Sequence, residues 1–194
     1  MVRWEPGTRA RLRAAALELF ATHGYERTTA AEIAESVGVS ERTFFRHFAD
    51  KREVLFDGQD QFVGAFAAGS AGAPPGAGPM EMVAAALHAV ADHFPDERRP
   101  DSRLRQSVID ANPALGEREQ QKLAVLATGL AAALRGRGVD EPAATLAARS
   151  GVTVFSVAFA RWIAPDEDRS LADLITGTLD ELVRVTAAVG ASRP

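Results

Sequence analysis

The feature that most constrains this chain is a pair of short amphipathic stretches on either side of a glycine, between Thr29 and Phe48. Thr29 and Glu32 have capping-box spacing, in which each side chain satisfies an amide that the helix start leaves free. Ile33, Ala34 and Val37 recur at helical intervals and form an inner stripe. Gly38 tolerates the positive φ that a sharp turn requires. Ser40 is placed to cap a third helix, ERTFFRHF, whose Phe44 and Phe48 face one side at i, i+4. Glu41, Arg42, Thr43 and Arg46 are left on the other side. This is the layout of a helix-turn-helix, in which the second helix enters a major groove. Helical hairpins with no nucleic-acid role share the apolar pattern, so the pattern alone leaves both readings open.

The rest of the chain is also helical in period, and strand alternation is nearly absent. In TRARLRAAALELFATHG, Leu12, Ala16, Leu19 and Phe20 share a face, with Thr8 as the expected cap and Gly24 as the stop. Asp50 and Glu53 predict a second capping box, opening a fourth helix through Val54, Leu55, Phe62 and Phe66. Gly69–Pro79 reads GSAGAPPGAGP and predicts a flexible or extended connection. Five further helices are expected near Met80–Phe94, Ser102–Ala111, Ala114–Arg135, Glu141–Ile163 and Leu171–Val189. Short connections favour antiparallel neighbours. The expected fold is all-α: an N-terminal three-helix domain over residues 1–50 and a C-terminal helical bundle over 51–194.

Composition narrows the function. The 194 residues include no cysteine, which removes disulfides, thiolate metal sites and cysteine nucleophiles. Net charge is −4, but residues 1–52 hold nine Lys/Arg against seven Asp/Glu, whereas the remainder holds thirteen against nineteen. Such asymmetry points to different partners for the two parts. No uninterrupted apolar run approaches the roughly 18 residues of a membrane span, and MVRWEPGTRARLR lacks an apolar signal core. A soluble, cytoplasmic protein with no membrane partner is expected. The four histidines include no i, i+4 pair, and His88 and His93 lie roughly 140° apart on a helix. No nucleophile elbow, phosphate-binding loop or dinucleotide fingerprint occurs. No catalytic residue, metal or cofactor is therefore expected, and no enzyme.

Residues 15–55, AALELFATHGYERTTAAEIAESVGVSERTFFRHFADKREVL, resemble the TetR family of transcriptional repressors. The resemblance rests on Phe20, Gly24, Tyr25, Thr28 and Thr29, on Ile33, Ala34, Gly38, Val39 and Ser40, and on Phe45, His47, Phe48, Lys51 and Leu55. It implies that Thr28 and Thr29, at the start of the second helix, touch phosphate through hydroxyl and amides. It implies another phosphate contact from Lys51 and base reading by Ser40, Glu41, Arg42 and Thr43. Arg42 suits guanine O6/N7, and Glu41 suits cytosine N4. Position 45 departs from the family pattern: its usual tyrosine meets a phosphate through the hydroxyl, and Phe45 lacks that donor, at a cost of roughly 1.5–3 kcal/mol. Arg46, with Arg3, Arg9, Arg11 and Arg13, offers compensating charge. His47 is expected to be structural or phosphate-facing. Phe45 and Glu41 also favour a second reading, a ligand-binding bundle that has lost DNA recognition.

The same resemblance implies a divergent second domain that binds a small molecule and a homodimer formed through the last two helices. On the eighth helix, AATLAARSGVTVFSVAFARWI is rich in small residues. On the ninth, Leu171, Ile175, Thr178, Leu182, Val185 and Val189 form one stripe, with Leu174, Leu179 and Val183 beyond it. IDANPALGEREQQKLAVLATGLAAALRGR is similar to the subgroup with an acyl-CoA-like ligand-binding domain, as in mycofactocin-type regulators. Candidate pocket residues are Leu87, Val108, Leu126, Leu130, Phe155 and Phe159, with Arg105 or Arg161 meeting charge. The implied function is a ligand-responsive regulator, in the first place a repressor, that binds a pseudo-palindromic DNA operator and is released by an effector such as an acyl-CoA.

Overall fold

The computed structural model describes residues 7–190, and all their side chains except those of 59–61 and 188–190. Arg3 and the Val189 side chain therefore lie outside the described residues. Among those residues there are nine α-helices and no strand. These are α1 (Thr8–His23), α2 (Ala30–Ser36), α3 (Glu41–His47), α4 (Gln59–Gly72), α5 (Pro79–Ala91), α6 (Arg99–Asp110), α7 (Pro113–Gly136), α8 (Ala143–Trp162) and α9 (Leu171–Gly190), with a 3-10 turn at Asp96–Arg98 before α6. Two compact units result. One runs to Gln59 and adds Asp101–Glu119; the other holds Asp60–Pro100 and the chain from Gln120 onward.

The first unit is built on one core. Leu12, Ala16 and Phe20 from α1, Ile33 and Ala34 from α2, and Phe44 with Phe48 around α3 are buried together with Val54, Leu55, Phe56, Val108, Ile109 and Leu115. The unit thus extends beyond residue 50, because α6 and the start of α7 supply apolar side chains to the same core. Ion pairs reinforce this join: Arg118 reaches Glu53 Oε1 at 2.9 Å, and Arg105 reaches Glu119 Oε1 at 3.1 Å.

Local expectations hold in part. The α2 capping box forms, with the Glu32 amide donating to Thr29 Oγ1 (3.2 Å) and the Thr29 amide to Glu32 Oε2 (2.7 Å). Ser40 caps α3 by accepting from the Thr43 amide at 3.2 Å. Gly38 has φ 73° and Gly24 φ 87°. Thr8, however, is the first helical residue, and Gly7 is the N-cap without a side-chain bond. Asp50 accepts from the Arg52 and Glu53 amides (2.8 and 3.1 Å) but opens only turns. Val54, Leu55 and Phe56 bury themselves in those turns, and α4 starts at Gln59. The glycine-rich connection is shorter than its composition implied, because α4 runs through Gly69 to Gly72.

Close helix approach explains that extension. A Cβ on Gly69 would lie 2.7 Å from Ala86 Cα and 2.8 Å from the Ala85 carbonyl oxygen of α5, so only hydrogen fits. Gly151 plays the same part on α8, where a Cβ would lie 2.6 Å from Val83 Cγ1. Arg137 then closes the end of α4 by donating to the carbonyls of Ser70, Ala71, Ala73 and Pro74. Ala73 and Pro74 lie past the last helical residue, and the Ser70 and Pro74 carbonyls also accept from the Ala73 and Ala77 amides.

The rest of the second unit packs Met82, Val83, Ala86, Leu87 and Val90 of α5 against α8 and α9, with Leu126, Leu130 and Leu134 of α7 in the same core. Trp162 is fully buried, and its indole donates to Asp96 Oδ1 at 3.1 Å. Arg99 lies over the same ring and bonds Asp96 Oδ1 (2.7 Å) and the carbonyls of Glu167 and Arg169. The indole and then Arg99 hold the Asp96 carboxyl below its usual range. On α9, Leu171, Leu174, Ile175 and Thr178 are all buried, so the inner stripe takes in Leu174. Helix α8 is long and apolar enough to cross a membrane, with mean hydropathy 1.4, yet Ala144, Ala147, Ala148, Val154, Phe155, Ala158 and Trp162 are core here.

Two glycines of α4 separate packing from propensity. Gly69→Ala should lower stability by roughly 1–3 kcal/mol through overpacking against backbone. Gly64→Ala meets nothing within 4 Å among the described residues and should raise it by roughly 0.5–1 kcal/mol. Urea denaturation followed by circular dichroism reads both.

Candidate nucleic-acid interface

Helix α3 presents its polar side because its apolar side is taken. Phe44 is wholly buried and Phe48 nearly so, their ring centroids 5.5 Å apart. Burying an aromatic side chain contributes on the order of 1.5–3 kcal/mol, so these two residues fix the helix's rotation. Glu41, Arg42 and Arg46 are then exposed, as is Ser40 at the cap. Thr43 is half-buried, with its hydroxyl 3.0 Å from Ser40 Oγ. Phe45 exposes 51% of its surface in the middle of this face and stands edge-on to Phe44. The outward surface is thus two guanidiniums, a carboxylate and an aromatic ring. It can meet acceptor-rich base edges, phosphates and apolar base substituents.

The flanking candidates divide differently from expectation. Thr29 is exposed, and its side chain is engaged in the capping box. Thr28 is buried, and its hydroxyl donates to the carbonyls of Gly24 (3.0 Å) and Leu19 (3.3 Å). That hydroxyl serves the turn after α1. Lys51 is also occupied. Its ammonium donates to the carbonyls of Tyr25 (2.8 Å), Thr28 (3.1 Å) and Glu26 (3.3 Å) and sits 4.3 Å from the Tyr25 ring centroid. His47 is half-buried, its Nε2 enclosed without a hydrogen-bond partner among the described residues. Arg9 pairs with Asp57 and lies over the Phe48 ring, and Arg11 donates to the Val37 carbonyl at 2.5 Å. Arg13 is exposed.

The ligand candidates do not form one group. Leu87, Leu126, Leu130 and Phe155 are buried in the second unit's core, with Phe159 half-buried against it and Arg161 exposed. Phe62, Phe94, Phe155, Phe159 and Trp162 form a ring cluster there with centroids 4.8–6.0 Å apart. Val108 and Arg105 belong instead to the first unit. Val108 is core and also lines an open groove of about 410 Å³ with Phe20, Tyr25, Leu104 and Asn112. Arg105 donates to the Leu55 carbonyl (2.6 Å) and Glu119, with its guanidinium over Phe56. Burial lowers the pKa of that guanidinium, and Glu119 opposes the shift. Spacing within α6 carries no signal for these partners, which come from residues 14 and 50 positions away. Among the described residues no group of three His, Cys, Asp or Glu side chains could hold a metal ion.

Comparison with known proteins accords with this geometry. Residues 12–57 match the family described as bacterial regulatory proteins, tetR family, and residues 77–187 match the MftR C-terminal domain. An HTH-type transcriptional regulator, TcmR of Streptomyces glaucescens, is 46% identical over 83 residues, which are 43% of this chain and 37% of that protein. The chain thus spans little over a third of the length of that curated relative. Thermus thermophilus FadR, a transcriptional repressor solved in complex with lauroyl-CoA, is 25% identical with a TM-score of 0.51, covering 90% of this chain and 93% of its own. Bacillus subtilis FadR, solved with stearoyl-CoA, has a TM-score of 0.62 at 18% identity over 90% and 97%, a likeness of fold.

Tyr25, the single tyrosine of the chain, reports on the turn that Thr28 and Lys51 hold. Burial first, and then the charge of Asp50, push its hydroxyl up to about 12 from 10.0. A raised phenol pKa stabilises the fold fully below pH 10 and ceases to do so as pH climbs toward 12. Tyrosinate absorbance should therefore titrate near 12 in the native protein and near 10 in denaturant, with stability falling between the two.

Proposed function

The chain belongs to the TetR family of transcriptional regulators, and on that footing we propose that it is a ligand-responsive repressor that binds a pseudo-palindromic operator as a homodimer. The observation that carries this reading is the outward face of α3, where Arg42, Arg46, Glu41 and Phe45 are exposed because Phe44 and Phe48 are buried. In this reading residues 1–50 are the DNA-binding domain and 51–194 the ligand-binding and dimerisation domain. Ser40, Glu41, Arg42 and Thr43 face base edges, while Thr29, Phe45, Arg46 and His47 face the backbone. The α1–α3 segment of a dimer would place two reading helices about 34–36 Å apart, one turn of duplex.

The dimer is assigned to α8 and α9, which leave Leu146, Val157, Val183 and Val185 exposed by 46–66%. Exposed apolar side chains on adjacent helices fit coverage by a second copy. The effector is assigned as an amphipathic anion of the acyl-CoA kind, with Leu87, Leu126, Leu130, Phe155 and Phe159 around its apolar part and Arg161 toward its charge. The lauroyl-CoA complex of the Thermus relative and the match to the MftR C-terminal domain support that class. A coupling of about 1–3 kcal/mol between effector and operator would weaken binding 5- to 150-fold. The protein acts in the cytoplasm and is not an enzyme.

Selection from a random duplex pool should enrich a palindromic sequence. On that duplex Arg42→Ala should cost roughly 1–3 kcal/mol and relax base preference at one position in each half-site. Arg46→Ala should weaken all duplexes alike and reduce the slope of log affinity against log salt by about 0.9 for each phosphate no longer neutralised. Enrichment of no sequence over the starting pool would sink the specific-operator reading. Separately, the double variant Val157→Glu with Val183→Glu should sediment as a monomer and lose the palindrome, since two like charges would meet across the seam.

A further inference from the structure

Lys51 follows the buried Phe48 at the end of α3 by three residues, yet its ammonium ends on the turn that precedes α2. An ammonium has three N–H donors, and Lys51 directs its own at three carbonyls, those of Tyr25, Glu26 and Thr28. The tyrosine ring closes its remaining side at 4.3 Å. These partners lie 23–26 positions back along the chain. The turn is also held from within, through the Thr28 hydroxyl on the Gly24 and Leu19 carbonyls. Asp50 steadies the other end by accepting from the amides of Arg52 and Glu53.

We propose that Lys51 is a positioning residue that ties the exit of the recognition helix to the turn before α2, and so fixes the angle at which α3 is presented to a duplex. The proposal rests on the DNA-binding reading above. The carbonyls of a turn cannot neutralise an ammonium as a phosphate would, but three converging acceptors restrain it. For Lys51 to meet a phosphate it would have to leave bonds it already makes. The residue therefore contributes to sequence preference through geometry and not through charge on the backbone.

The competing role, direct pairing with a phosphate, predicts opposite results. Removing a cation that neutralises a phosphate weakens all duplexes uniformly and lowers the salt slope by about 0.9 per phosphate. Removing a positioning residue weakens the preferred duplex selectively. The experiment uses the full chain with the duplex enriched from the random pool, a random duplex of equal length, and the variants Lys51→Met and Lys51→Arg. Arginine keeps the charge, but its planar fork does not match three converging acceptors. Both variants should lose about tenfold or more in preference for the selected duplex. Affinity for random duplex should stay within about twofold, and the salt slope of Lys51→Arg should be unchanged. Lys51→Arg is the decisive variant should Lys51→Met fail to fold. Wild-type preference in Lys51→Arg, or equal weakening on both duplexes in Lys51→Met with a shallower slope, overturns the assignment. A wild-type chain that prefers no duplex overturns the regulator reading, and this assignment falls with it.

Discussion

Phe44 and Phe48 share a core with Leu12, Phe20 and Ile33, and the geometry of the candidate interface depends on that packing. The recognition helix has seven residues, too few to be stable on propensity alone. Tertiary burial must hold it, and truncating a buried phenylalanine costs on the order of 3–5 kcal/mol. With those rings inside, the polar side of the helix has no choice of direction. Burial of two side chains thus places Arg42 and Arg46 in solvent without any bond that fixes them there.

The turn before α2 is a second constraint of the same kind. Thr28 and Lys51 satisfy the carbonyls of Leu19, Gly24, Tyr25, Glu26 and Thr28 with side-chain donors. A short helix-turn-helix leaves many backbone groups without helical partners, and each buried one left unpaired costs roughly 1–3 kcal/mol. Residues whose chemistry suits an anion are therefore drawn into structural service. A hydroxyl or ammonium near a duplex-facing surface is committed to that surface only if the backbone beside it is already satisfied.

In the second unit, glycine at 69 and 151 lets α4 and α8 approach α5 closely. Aromatic rings then fill the space beside them, with Trp162 and Phe66 wholly buried and Phe62, Phe94 and Phe159 partly open. The polar partners of Arg99 and Arg137 are backbone carbonyls and, for Arg99, Asp96. Arg161, by contrast, stays exposed at the end of α8.

Features that depend on neighbours in sequence were legible without coordinates. The capping box at Thr29 and Glu32, the positive φ of Gly38, the inward pair Phe44 and Phe48, and the extents of α1 through α3 follow from periodicity and local hydrogen bonding, which act over three or four residues. The TetR resemblance came from the same stretch. Features that depend on distant partners were not legible. Nothing near Lys51 announces that three carbonyls some two dozen residues back will hold its ammonium, nor near Arg105 that Glu119 and Leu55 will claim it. Composition made Gly69 look like a linker, whereas proximity to Ala86 made it a point of helix packing. Local sequence determined which helices form and which sides are apolar; tertiary packing decided which of the polar residues were left free, because only there do distant donors and acceptors compete for the same partners.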